Sequence, residues 1–97
     1  MIISSNIVIF DGRGNLSASG LLQLQLLTLI GEGRLNDAEN LLLEKITAQP
    51  DPAYLPVALD FYTQLDNLSD AALTSANFSR AEIGEGLANL KKLYQNS

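Results

Sequence analysis

The side chains able to do chemistry in this chain are few and nearly all of one kind. Among its 97 residues there is no His and no Cys. That excludes a Ser-His-Asp triad, a cysteine nucleophile and the usual zinc sites. Carboxylates are left. Asp60, Asp66, Asp70, Glu82 and Glu85 lie close in sequence, and two of them brought together could share acid–base work. Local roles account for them better. Asp70 stands where a turn begins, Glu82 sits three residues after Ser79 in the position that closes a helix cap, and the others fall on polar faces. Acids on such faces are ordinarily just solvated. The chain reads as non-enzymatic, with no catalytic, cofactor-binding or metal-binding residue and no cofactor. The alternative is a small ligand-binding protein or enzyme that uses clustered carboxylates and tyrosines. It requires Asp60, Asp66 and Glu85 to converge on one concave site with a raised acid pKa.

Three further patterns carry less than they suggest. Gly12-Arg13-Gly14 opens like a dinucleotide-binding turn, but Ser17 stands where the third glycine belongs, and no βαβ unit follows. Asp11, Arg13 and Asn15 have calcium-loop spacing. However, Arg13 occupies a ligand position, and Leu16 and Leu22 replace the required Gly and Glu. The sequons at Asn15, Asn67 and Asn77 each set a Ser at or near a helix start, which is sufficient reason for them.

Charge narrows the partners. The net charge is −5, and the six bases are scattered as Arg13, Arg34, Lys45, Arg80, Lys91 and Lys92. Phosphate binding needs clustered bases, so neither nucleic acid nor an anionic membrane is an expected partner. The longest signal or membrane candidate, Ile7–Phe10, is far too short. With no basic leader and no cysteine, the expected location is the cytoplasm.

The elements that would position these residues are helical. Leucine dominates and aromatics are few, a balance that favours helix over sheet. A single helical domain over residues 16–97 is expected, with helices at about 17–30, 36–48, 53–66 and 80–94. The first is apolar nearly all round and should be central, covered by several neighbours. Gly31 and Gly33 end it, and Asn36 with Glu39 forms a box-like cap on the second. Leu35, Ala38, Leu41, Leu42 and Ile46 stripe that second helix. Asp51 and Pro52 open the third, and Ser69–Leu73 is a short helical turn. Ser79 and Glu82 form a reciprocal cap, with Phe78 stapled onto Ile83. Gly84 and Gly86 mark a close crossing. Residues 1–15 differ: Asn6–Phe10 reads as a lone strand followed by a turn. Its unpaired backbone has three outcomes: homodimer pairing through residues 1–10, lying as an arm on the helices, or disorder.

Leu22, Gly33, Ala38, Leu42 and Pro50 fall at landmark positions of a tetratricopeptide repeat, which the hairpin resembles; Gln25, Leu26, Leu29 and Lys45 depart from that pattern. No second copy appears. The resemblance implies stacked-hairpin geometry and protein binding. A closer one spans Leu16–Tyr94. It rests on Asn15-Leu16-Ser17, the run Gly33–Leu42, Ala58-Leu59-Asp60-Phe61-Tyr62, Leu68-Ser69-Asp70 and Asn77-Phe78-Ser79-Arg80. These segments look like a family of small uncharacterised helical proteins of Gram-positive bacteria, known only as a domain of unknown function. In that family a helical segment precedes this region, so the strand-like opening marks this chain as shortened or divergent. The resemblance implies a bacterial, cytoplasmic helical protein and transfers no site residue. The reading overall is an all-α, four-helix domain of tetratricopeptide-like stacked hairpins with a short N-terminal strand or arm. Its specific function is unknown, and the class expected is a protein–protein interaction or self-association module, offering a groove between the first and third helices.

Overall fold

In a computed structural model, which describes residues 17–95, Ser17 opens the first helix by accepting the Gly20 N–H on its hydroxyl at 2.9 Å. Five helices follow in order: α1 (Ala18–Gly31), α2 (Leu35–Ala48), α3 (Tyr54–Asp66), α4 (Asp70–Ser75) and α5 (Arg80–Gln95). There is no strand among the described residues. The strand or arm expected over residues 1–15 lies outside them. α1 packs on α2 and α3, and α3 packs on α5. One core runs through all five helices, from Leu22 and Leu26 through Leu42, Phe61 and Leu73 to Ile83 and Leu90.

The connections follow from local chemistry. Gly33 adopts φ +75°. That left-handed residue lets its own N–H reach Ile30 O while the Arg34 N–H reaches Leu29 O, at 3.0 and 2.9 Å, so the last carbonyls of α1 are satisfied. Asn77, at φ +57°, closes α4 by the same pair of bonds, its N–H to Thr74 O and the Phe78 N–H to Leu73 O. The reciprocal cap of α5 is present in both halves: the Glu82 carboxylate accepts the Ser79 N–H at 2.7 Å, and the Ser79 hydroxyl accepts the Glu82 N–H at 3.2 Å. Phe78 and Ile83 are both buried beside it.

Three expectations are corrected. The four-helix count becomes five, because Ser69 accepts the Ala72 N–H and starts a separate helix where only a helical turn was expected. Asn36 does not cap α2. The helix begins at Leu35, so Asn36 is already inside it and donates instead to Ala76 O and Asn77 O across the fold. Glu39 is likewise free of any cap and bonds Tyr62. Third, α1 is not encircled. Leu22, Leu26 and Gln23 face inward, whereas Leu21 and Leu24 are exposed. Gln23 can be buried because it donates to Asp60 at 2.8 Å, so a satisfied amide displaces leucine from the inward face.

Candidate functional site

Two concave places on the helices merit comparison. The first is a hollow of ≈ 170 Å³ where α2, α3 and α5 meet, lined by Glu39, Leu43, Tyr62, Glu82, Glu85, Gly86 and Asn89. Tyr62 is almost fully buried, 1% exposed, and its hydroxyl donates to Glu39 at 2.8 Å. Gly86 makes this arrangement fit, since a Cβ there would overlap the Tyr62 ring. Burial raises the Glu39 carboxyl pKa, and the neighbouring Glu82 and Glu85 charges add to the rise, while the bond from Tyr62 works against it. Burial and the Glu39 carboxylate push the Tyr62 hydroxyl well above its ordinary value. The phenol is therefore held protonated, as a donor to Glu39 and not as a base or nucleophile.

The sequence-nominated acids go to different places. Glu82 and Glu85 do come together in this hollow, joined by Glu39, for which the sequence suggests a capping role. Asp60 lies elsewhere, accepting from Gln23 and from Gln64 at 2.8 and 3.5 Å. Asp66 and Asp70 both bind Arg80, at 3.0 and 2.8 Å. The convergence of Asp60, Asp66 and Glu85 required by the enzyme alternative is absent. Among the described residues no group of three or more acids is disposed to hold a metal ion. A signal for Glu39 did exist: it follows Leu35 by four and precedes Leu42 by three, which puts it beside the buried stripe of α2.

The second place is an apolar groove of ≈ 290 Å³ between α3 and α5, lined by Leu55, Leu59, Leu90, Lys91, Tyr94 and Gln95. No acid lines it. The Tyr94 hydroxyl donates to Asp51 O at 2.9 Å and so pins its ring across the groove's end. Leu59 stands 45% exposed at its edge. An open hollow beside the α1–α2 turn, of ≈ 400 Å³, is larger. It is lined by Arg34, whose guanidinium is already bound to Glu32 and Asp37.

Compared with known families, residues 11–95 match the model of a family of unknown function, DUF6483. The chain belongs to that family. No curated protein and no solved structure matches it. The DUF6483 match runs through all five helices, so the acidic hollow and the apolar groove both lie within it, and residues 1–10 precede it. DUF6483 carries no assigned activity, so the match assigns no role to any residue. No helix of the described residues is long and apolar enough to cross a membrane.

Proposed function

We propose that this DUF6483 protein is a non-enzymatic interaction domain that binds other proteins. The observation that carries the reading is the α3–α5 groove, a concave strip of leucine and tyrosine left open beside the core. A concave strip of that make-up can receive the apolar side chains of a partner. The polar groups that could do chemistry are meanwhile engaged by the chain itself, Tyr62 with Glu39, Asp60 with Gln23, and Asp66 and Asp70 with Arg80. The α1–α2 hairpin supports the same reading through its tetratricopeptide-like landmarks, since such hairpins stack into protein-binding scaffolds. Self-association through residues 1–10 is the second form the reading takes, and the acidic, cysteine-free composition fits work in a bacterial cytoplasm.

The test is affinity capture by the immobilised full chain from the cells that make it, beside a Leu59→Asp chain. A discrete protein retained by the first and lost from the second is expected. Retention of nothing by either, together with a single-chain mass in solution, would discard the reading. The alternative, a ligand site using carboxylates and tyrosines, draws on the raised Glu39 pKa. It predicts loss of ligand binding in Glu39→Gln with protein capture unchanged.

A further inference from the structure

Three carboxylates share the hollow where α2, α3 and α5 meet: Glu39 from α2, and Glu82 and Glu85 from α5. No Lys or Arg lines it. The bases nearest in sequence are turned elsewhere, Arg34 onto Glu32 and Asp37, and Arg80 onto Asp66 and Asp70. From α3 the hollow receives Tyr62, whose hydroxyl donates to Glu39 at 2.8 Å. Glu82 is anchored at the rim by the Ser79 N–H it accepts at 2.7 Å. Glu85 follows one turn later from an exposed position. Like charges gathered in so small a space, ≈ 170 Å³, repel one another more than they would in open water. A proton on one of them removes much of that repulsion.

The two sides of the hollow are not held equally. α2 is fixed in the core by Leu35, Ala38, Leu42 and Ile46, none more than 1% exposed. The Tyr62 ring is buried and closed in by Gly86, so it has no room to give. The first turns of α5 bury fewer side chains, chiefly Ile83, and contain Gly84 and Gly86, which weaken a helix. α5 is therefore the side that yields.

We propose that this hollow is a proton-operated clasp: with a proton on Glu39, α2 and α5 close on Tyr62, and without it the three carboxylates push the first turns of α5, residues 80–87, outward. The clasp does not depend on the interaction-domain reading. Its sign follows from Glu39. Burial and the Glu82 and Glu85 charges penalise the closed carboxylate more than the Tyr62 hydroxyl supports it, so the closed state holds its proton above the ordinary 4.5. Closure is therefore favoured at acid pH and weakens as pH rises through the value that Glu39 has when closed. Opening bares the face of Tyr62 that Gly86 covers.

The experiment measures amide hydrogen exchange of the full chain at about pH 5 and about pH 8, each rate divided by that of an unstructured peptide at the same pH. Protection of Ile83–Leu87 is expected to fall by about three-fold or more at the higher pH, and that of Leu22–Leu26 in α1 to fall less. Glu39→Gln should hold Ile83–Leu87 at the protection seen in the acid wild type, with no further dependence on pH. Glu85→Gln replaces an exposed side chain and leaves both the Ser79 cap and the Tyr62 bond in place, so it should shrink the change without abolishing it. Glu44→Gln removes an exposed acid from α2 that does not line the hollow and should leave the change as it is. Helical spectra check that each variant is folded. An equal fall in α1 and α5 would overturn the proposal, since it would mean that the net charge of the whole chain is responsible. So would a pH dependence that survives in Glu39→Gln, or one that Glu44→Gln reduces as much as Glu85→Gln does. Should Glu39→Gln fail to fold, an unaltered response in Glu85→Gln is enough to discard the clasp.

Discussion

At the residue scale, the two glycines of α5 look alike in sequence and differ in the fold. Gly86 faces Tyr62 so closely that a Cβ would overlap the ring, whereas nothing lies within 4 Å of a Cβ at Gly84. The ring cannot retreat, because it is buried and its hydroxyl is held by Glu39. Gly86→Ala should therefore destabilise the protein by about 1–3 kcal/mol through overpacking. Gly84→Ala should stabilise it by about 1 kcal/mol through helix propensity alone. Urea unfolding of the two variants checks both signs. Glu39 makes a second prediction. Its folded carboxyl keeps a proton to higher pH than the unfolded chain does, because burial and the Glu82 and Glu85 charges raise it above the ordinary 4.5. The folded state then binds more protons in the window above that value. The contribution of Glu39 is greatest at acid pH and is lost as pH rises through the folded pKa. Glu39→Gln keeps an acceptor for Tyr62 and removes the titration. Its urea midpoint should fall less than that of the wild type between about pH 4 and about pH 7.

At the element scale, the shortest helix depends most on side chains from outside it. Arg80, the first residue of α5, donates to the Asp66 carboxylate and carbonyl, to Leu68 O and to the Asp70 carboxylate, all at 2.8–3.0 Å. One planar guanidinium thus satisfies the carbonyls at the end of α3 and holds the start of α4. Asn36 binds the other end of α4 through Ala76 O and Asn77 O. Arg80→Ala should cost about 1 kcal/mol, the upper range for an exposed network. Arg80→Lys should recover little of it, because an ammonium cannot reproduce the fork. Hydrogen exchange should speed up first in the α4 amides. Sequence reasoning could see the caps that bracket this region, Ser69 and the Ser79–Glu82 pair, since each is local. It could not see Arg80 or Asn36 at work, because their partners lie ten to forty-one residues away in sequence. The same limit explains α1. Periodicity places its leucines all round the helix, and the Asp60 partner that lets Gln23 turn inward lies 37 residues away. In the acidic hollow, Glu82 and Glu85 are legible as candidate acids in the sequence, whereas the box-like spacing from Asn36 to Glu39 points Glu39 toward a cap instead.

At the scale of the whole molecule, residues 17–95 carry one continuous core in which α2 contributes Leu35, Ala38, Leu42 and Ile46 at no more than 1% exposure. A core shared by all five helices implies one cooperative unfolding transition. On the strength of that core we predict that residues 7–10 are dispensable for folding. A chain beginning at Asn15 should melt within about 4 °C of the full chain, equivalent to less than 1 kcal/mol for a domain of this size. Solution mass then separates folding from association. If residues 1–10 pair between copies, as the self-association form of the proposal requires, the full chain should sediment at about twice its single-chain mass, as a two-fold dimer does. The shortened chain should sediment at about half that value with its helical spectrum unchanged. Equal masses with equal melting temperatures would remove residues 1–10 from association and leave the α3–α5 groove as the surface that carries binding. A shortened chain that loses its cooperative transition would instead mean that Ile7–Phe10 covers leucines such as Leu21 and Leu24, which the described helices leave exposed.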